Sequence, residues 1–145
     1  MLKSKLIHPE LIRALAGAGH GSQILITDSN YASDVLKPEA VTPIYLNFMP
    51  GKLLVTEILE GILSAVPIEA AMSMLTDDGE NPDIVQDFRA LLPEQVEISA
   101  LQRDDFYAAA MNRKTSIVIV SGDQRLFANL ILVVGFIQPD GMSHY

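Results

Sequence analysis

The sequence predicts an α/β fold with a mainly parallel sheet, and three observations predict it. Continuous apolar runs of strand length occur at QILIT (23–27), SIVIV (116–120) and LILVV (130–134). Between the apolar runs lie stretches whose hydrophobic residues return at helical spacing. Strands that are apolar on both sides need cover on both faces, which helices supply in a layered α/β fold. A length of 145 residues fits a single domain over 1–145 and leaves little room for a second core.

Each element follows from local chemistry. Pro9 suits an early helical turn, and Leu11, Ile12, Leu15 and Ala16 then share a face up to Gly17 and Gly19. Residues 23–27 read as a buried strand that stops at the turn formers Asp28, Ser29 and Asn30. No clear period marks 31–42, and a short strand is expected around Ile44 to Leu46. From 53 to 63 the apolar positions 54, 55, 58, 59, 62 and 63 form a helical stripe, with Glu57 and Glu60 on other faces. Residues 68–75 (IEAAMSML) are strand-like despite helix-favouring Ala and Met.

After the loop TDDGENPD, Pro82 can open a helix to about Leu91. Val96 to Leu101 reads as a strand, and Asp104 or Asp105 can cap a helix to about Asn112. Two strands, 116–120 and 130–134, complete the pattern, and the final QPDGMSHY reads as a solvated tail that an oligomer contact can recruit.

Composition narrows the function. Hydrophobic residues make up 49% of the chain and mean hydropathy is +0.26, too apolar for a disordered chain. Ten basic against eighteen acidic residues give a net charge of -8, which opposes binding to phosphate backbones or anionic lipid. Neither nucleic acid nor a membrane is therefore expected as a partner. With no cysteine, thiolate catalysis, cysteine-ligated metals and disulfides are excluded. The N-terminal MLKSKLIHPELIRAL lacks a signal-peptide core, and no segment approaches the ~20 apolar residues of a membrane span, so a cytoplasmic protein is expected.

Two residues stand out for chemistry. His20 lies between Gly19 and Gly21, where a loop presents an imidazole that titrates near neutral pH. The bland alternative is a polar loop residue beside capping glycines. Asp28 closes a strand at its carboxyl end, the edge of an α/β sheet where ligands collect. Its alternative is a turn residue bonding its own backbone. Eight extended residues span up to ~26 Å, so a straight strand puts His20 and Asp28 at opposite ends. Either the chain folds back at Gly19-His20-Gly21, or neighbouring subunits assemble the site.

Other features read as structural. TDDGENPD lacks the ligand alternation of an EF-hand. His8 and His144 have no second ligand at metal spacing. Asp87, Arg89 and Glu94 look like surface charge, and the six methionines like core filling.

GAGHG followed by an apolar strand and Asp28, the IEAA strand at 68–71, and VIVSGDQRLFANLILVVG together resemble the D-ribose pyranase and L-fucose mutarotase family. The resemblance runs from the first helix almost to Ile137 and implies a three-layer sandwich. It also implies that His20 is the proton donor and that Asp28 binds sugar. Arg103, ahead of Phe106-Tyr107, and the aromatic-x-Asn element Phe127-Ala128-Asn129 match further sugar-binding positions.

Arg103 resembles the fucose branch, whereas the pyranase branch tends to have His there. Two departures stand out: Phe127 replaces the family's usual Tyr, and Ser-Asn-Tyr-Ala-Ser follows Asp28 without the proline often found there. Tyr31 and Tyr107 are alternative hydroxyl donors by residue type.

The resemblance implies a cofactor-independent mutarotase in a ring-shaped homo-oligomer, commonly a decamer, with sites near subunit interfaces. Anomer exchange opens the cyclic hemiacetal: the ring oxygen gains a proton, the anomeric hydroxyl loses one, and the aldehyde recloses from either face. Positioned acid–base groups contribute roughly 10²–10⁴-fold to such steps. On this reading His20 is the general acid, Asp28 and Arg103 hold sugar hydroxyls, Asn129 orients the anomeric end and Phe127 faces the pyranose ring. L-fucose or a related sugar is the expected substrate. The alternatives are a D-ribose pyranase and a sugar-binding or regulatory protein that has lost turnover.

Overall fold

The computed structural model describes residues 2–142. Its elements run α1 (Pro9–Gly17), β1 (Gln23–Thr27), β2 (Ile44–Tyr45), α2 (Val55–Leu63), β3 (Ile68–Met74), α3 (Ile84–Leu91), β4 (Ile98–Leu101), α4 (Arg103–Ala110), β5 (Thr115–Val120) and β6 (Leu130–Val134). The six strands form one sheet in the order β2-β5-β1-β6-β3-β4. β5 pairs in parallel with both β1 and β2, and β3 pairs in parallel with β4. Only β6 runs against its neighbours, lying antiparallel between β1 and β3.

Alternation along the strands divides the core in two, because successive side chains leave opposite faces. Ile24, Ile26, Ile117, Ile119, Leu130 and Leu132 pack with Leu11 and Leu15 of α1, Leu59 of α2 and Phe88 of α3. Leu25, Val118 and Ile131 point the other way, against Phe106 and Ala110 of α4. Both faces are thus covered, which makes the three layers expected of this sequence. Burying a large apolar side chain contributes about 1.5–3 kcal/mol, and many of these residues are fully buried.

Several boundaries differ from expectation for local reasons. Helix α2 starts at Val55, since Leu53 is in the left-handed region (φ 53°). Leu54 at its N-cap has no polar side chain. Glu57 Oε2 instead accepts the Leu54 N–H at 2.7 Å, and Asp123 Oδ2 accepts the Val55 N–H at 3.1 Å. Gln102 occupies the N-cap position of α4, so neither Asp104 nor Asp105 is the cap; both sit in the first turn, where they complement the helix dipole. β4 begins at Ile98, while Val96 is buried in the core just before it.

His8 does have a structural task. Its Nδ1 accepts the Leu11 N–H at 3.2 Å and caps α1. His144 lies outside the described residues. The methionines divide: Met74 is buried, but Met49, Met111 and Met142 are exposed. Gly122 is required by close approach, because a Cβ there would collide with the Lys52 carbonyl of the 49–53 segment.

Candidate functional site at the carboxyl edge of the sheet

β1 delivers Asp28 to the carboxyl edge of the sheet, and β6, running the opposite way, starts beside it with Asn129. Asp28 is nearly buried. Its N–H donates to Asn129 Oδ1 at 2.9 Å, and Asn129 Nδ2 donates to Asp28 Oδ2 at 2.8 Å. The Asn30 N–H donates to Asp28 Oδ1 at 2.8 Å, the turn bond anticipated for an Asp at this position. Asp28 is therefore both a turn residue and half of a pair across the sheet edge. Burial raises its carboxyl above the ordinary value, against the lowering effect of the Asn30 N–H and the Asn129 amide.

Phe127 adopts φ 62°, a left-handed conformation uncommon for a bulky residue and often found where function demands it. Its carbonyl accepts the Asn129 N–H at 2.7 Å, closing a tight turn just before β6. The Arg103 guanidinium lies 5.7 Å from the centre of the Phe127 ring, a cation–π distance. Arg103 also pairs with Asp77. Asp28, Asn129, Phe127 and Arg103 thus form one connected group.

Tyr31 lines the adjacent surface, with its ring edge-on to Phe106 and Tyr107. Its hydroxyl donates to the Leu36 carbonyl at 3.1 Å, and burial raises it above the ordinary phenol value. That hydroxyl is committed to the backbone, a poor position from which to replace the one absent at Phe127.

His20 is elsewhere. Backbone bonds from Gly21 to Val134 (2.8 Å) and from Val134 to Ser22 (2.9 Å) tie its loop to the far end of β6. The chain does turn here, with the Ser22 N–H on the Gly19 carbonyl at 3.0 Å. The turn does not carry the imidazole to Asp28. His20 Nε2 is 2.7 Å from Glu69 Oε2, and its ring meets Phe136 edge-on at 5.1 Å. Of the two geometries open to the sequence, one chain shows His20 and Asp28 at opposite edges of the sheet.

Sequence reasoning missed Glu69, which appeared only as part of an apolar strand, and also missed the cluster around Asp123. Asp123 is fully buried, caps α2 and is clasped by Arg125, whose Nη2 donates to Oδ2 at 2.6 Å. Burial pushes its carboxyl up, but the bonds from Arg125 and Val55 outweigh this and hold it below the ordinary value. Arg125 also pairs with Asp87 at 3.0 Å, and Asp87 is exposed, the surface charge expected of it. Among the described residues no group of three or more His, Cys, Asp or Glu could hold a metal ion, and no helix is long and apolar enough to cross a membrane.

The model of the RbsD / FucU transport protein family matches residues 1–137. The chain belongs to that family. Among solved structures, the fucose mutarotase of Streptococcus pneumoniae in complex with L-fucose is 27% identical, with a TM-score of 0.78 over 94% of this chain and 100% of that one. FucU from Bifidobacterium longum is 29% identical, with a TM-score of 0.77 over 91% of this chain and 97% of that one. Bacillus subtilis RbsD complexed with D-ribose is 24% identical, with a TM-score of 0.81 over 95% of this chain and 100% of that one; this likeness speaks to the fold. The RbsD/FucU fold expected from the GAGHG and FANLILVVG segments is the fold observed.

Proposed function

We propose that this RbsD/FucU family member is a cofactor-independent monosaccharide mutarotase acting on L-fucose or a related sugar. The observation that carries the reading is the joined group of Asp28, Asn129, Phe127 and Arg103 at one sheet edge. It combines hydrogen-bonding groups for sugar hydroxyls with an aromatic face for a pyranose ring, the mixture expected of a small-ligand site. Arg103 and the L-fucose complex of the pneumococcal relative favour fucose.

His20 supplies the general acid in this proposal. Because it lies at the opposite edge of its own chain, the working site joins the Asp28 group of one subunit to His20 of a neighbour in a cytoplasmic homo-oligomer, a ring or decamer. The acid protonates the ring oxygen, the anomeric hydroxyl loses its proton, and the open aldehyde recloses on either face.

Exchange NMR on the anomeric protons of L-fucose and D-ribose tests the reading, with wild type beside His20→Ala and no added cofactor. Faster exchange of L-fucose that is lost in the folded variant is the expected result. Unchanged exchange in His20→Ala would overturn the assignment of the acid, and preference for D-ribose would make the protein a pyranase. Phe127 favours one further reading, a sugar-binding protein without turnover; saturable fucose binding with no acceleration would establish it.

A further inference from the structure

We propose that Phe136 is the specificity-determining residue of the His20 half of the site, an apolar wall that selects a sugar carrying a methyl group rather than a hydroxymethyl group at C5. The inference rests on the mutarotase reading and deepens it by naming the substrate class, the 6-deoxyhexopyranoses.

Two observations carry it. The first is where the ring stands. Phe136 follows β6 one residue past its end and meets the His20 imidazole edge-on, with ring centres 5.1 Å apart. The Gly21 N–H donates to the Val134 carbonyl and the Gly135 N–H to the Pro67 carbonyl, each at 2.8 Å. These bonds hold the His20 loop, the end of β6 and the segment before β3 in one frame, so Phe136 keeps its place beside the imidazole.

The second is that this ring is left out of the core. Every residue of β6 except Val133 is buried, whereas Phe136 is 38% exposed and Ile137 after it 60% exposed. The His20 side chain is itself 56% exposed. The neighbours of this open imidazole differ in kind: the carboxylate of Glu69 at Nε2, and the apolar ring of Phe136.

The chemistry of the sugar determines what such a wall touches. The general acid must reach the ring oxygen, and that oxygen is bonded to C1 and C5. C1 is the anomeric end, the part that Asn129 orients in the mutarotase reading. C5 bears C6, two bonds from the ring oxygen, so a group packed against the acid lies against the substituent at C5. A half-exposed phenyl ring gains by covering a methyl group. A hydroxyl in the same place loses water without gaining a hydrogen bond. In the shared site the sugar then lies between Phe127 of one subunit and Phe136 of the next, with Asp28 and Arg103 left to hold its hydroxyls.

The test uses three sugars that differ only at C6: L-fucose has a methyl group there, L-galactose a hydroxymethyl group, and D-arabinopyranose nothing. Anomer exchange gives kcat/KM and ligand-observed NMR titration gives Kd for each, in wild type, Phe136→Ala and Phe136→Leu. Wild type should favour L-fucose over each of the others by about tenfold, the lower end of what a methyl-sized group is worth in an apolar pocket, because the ring is partly exposed. Phe136→Ala should bring the three sugars within about threefold of one another. Phe136→Leu keeps an apolar side chain and should preserve most of the preference. A residue that merely steadied His20 would slow all three sugars equally, so an unchanged preference in Phe136→Ala would overturn the proposal, as would a wild type that handles L-galactose as well as L-fucose. The Kd ratios decide the point even if no sugar exchanges faster, an outcome that would count against the mutarotase reading alone.

Discussion

Asp28 and Asn129, 101 residues apart in sequence, hold each other through two hydrogen bonds of 2.9 and 2.8 Å that join the end of β1 to the start of β6. The pair is the only support that Asp28 receives from outside its own turn among its hydrogen bonds in the described residues. Asn129→Ala removes the amide that lowers the Asp28 carboxyl, so the Asp28 titration midpoint, already above 3.8 in wild type, should move further up. Carboxyl ¹³C NMR reads it directly. A wild-type midpoint at or below 3.8 would contradict the buried setting of this group.

The raised value also has a thermodynamic sign. Between 3.8 and its folded midpoint Asp28 binds a proton in the folded protein that the unfolded chain has released, so stability from this group is full below that range and falls as pH rises through it. Relative to wild type, Asp28→Asn should therefore gain stability as pH rises from 3.8, while losing sugar affinity. Urea unfolding at several pH values checks the trend.

Asp123 should behave in the opposite sense. Its carboxyl is held below 3.8, so its contribution is complete above that value and is lost as pH falls through the lowered folded midpoint. Asp123→Ala should cost about 2–4 kcal/mol at pH 7, between a lost charged hydrogen bond and a broken buried pair. The deficit against wild type should shrink below pH 3.8. Helix α2, deprived of its cap on Val55, should show the earliest loss of amide protection.

Phe127→Tyr restores a hydroxyl while keeping a ring beneath Arg103. Its stability should stay within about 0.5 kcal/mol of wild type, and anomer exchange should rise several-fold if that hydroxyl assists the proton transfers. Exchange NMR and denaturant unfolding on one preparation separate the two effects. An unchanged rate would mean that the ring alone serves the sugar.

A site shared between chains can be restored by mixing. If His20 of one subunit serves Asn129 of its neighbour, inactive His20→Ala and Asn129→Ala proteins refolded together in equal amounts should recover ~25% of wild-type activity, because about one neighbour pair in four carries both native residues. Each protein refolded alone should stay inactive. Failure of the mixture, with mixed assemblies demonstrated by mass, would place the two residues in separate sites.

Much of the fold could be read from the sequence because its strands announce themselves: QILIT, SIVIV and LILVV are apolar throughout and all three lie in the sheet interior. Their directions could not be read, since five apolar residues in a row look alike from either end, and the reversal of β6 emerged only from its pairing. Helix α4 shows a related limit. Asp104 and Asp105 are better capping types than Gln102, yet the chain leaves β4 so abruptly that the helix starts before them.

The site was legible where a motif marked it. Gly-His-Gly singled out His20, and the strand end singled out Asp28. The spacing left two geometries open, a fold-back or a site shared between subunits, and the intervening straight β1 keeps the two residues apart within one chain. The grip of Asn129 on Asp28, the bond from Asp123 to α2 and the contact of Glu69 with His20 span 101, 68 and 49 residues. No local pattern encodes such contacts. They arise because β6 and the loop before it return through the middle of the sheet.

That return bears on how the molecule comes into being. β6 is the last strand in the chain, yet it sits between β1 and β3 and is paired with both. Before it docks, a growing polypeptide has β2, β5 and β1 as one potential half-sheet and β3 and β4 as another, each with an open edge inviting intermolecular pairing. Loop closure over such long separations is slow. Insertion of Leu130–Val134 is then the step that turns two adhesive fragments into one sheet, and a substitution that weakens this strand should show itself in yield and aggregation before it shows itself in the chemistry of the finished protein.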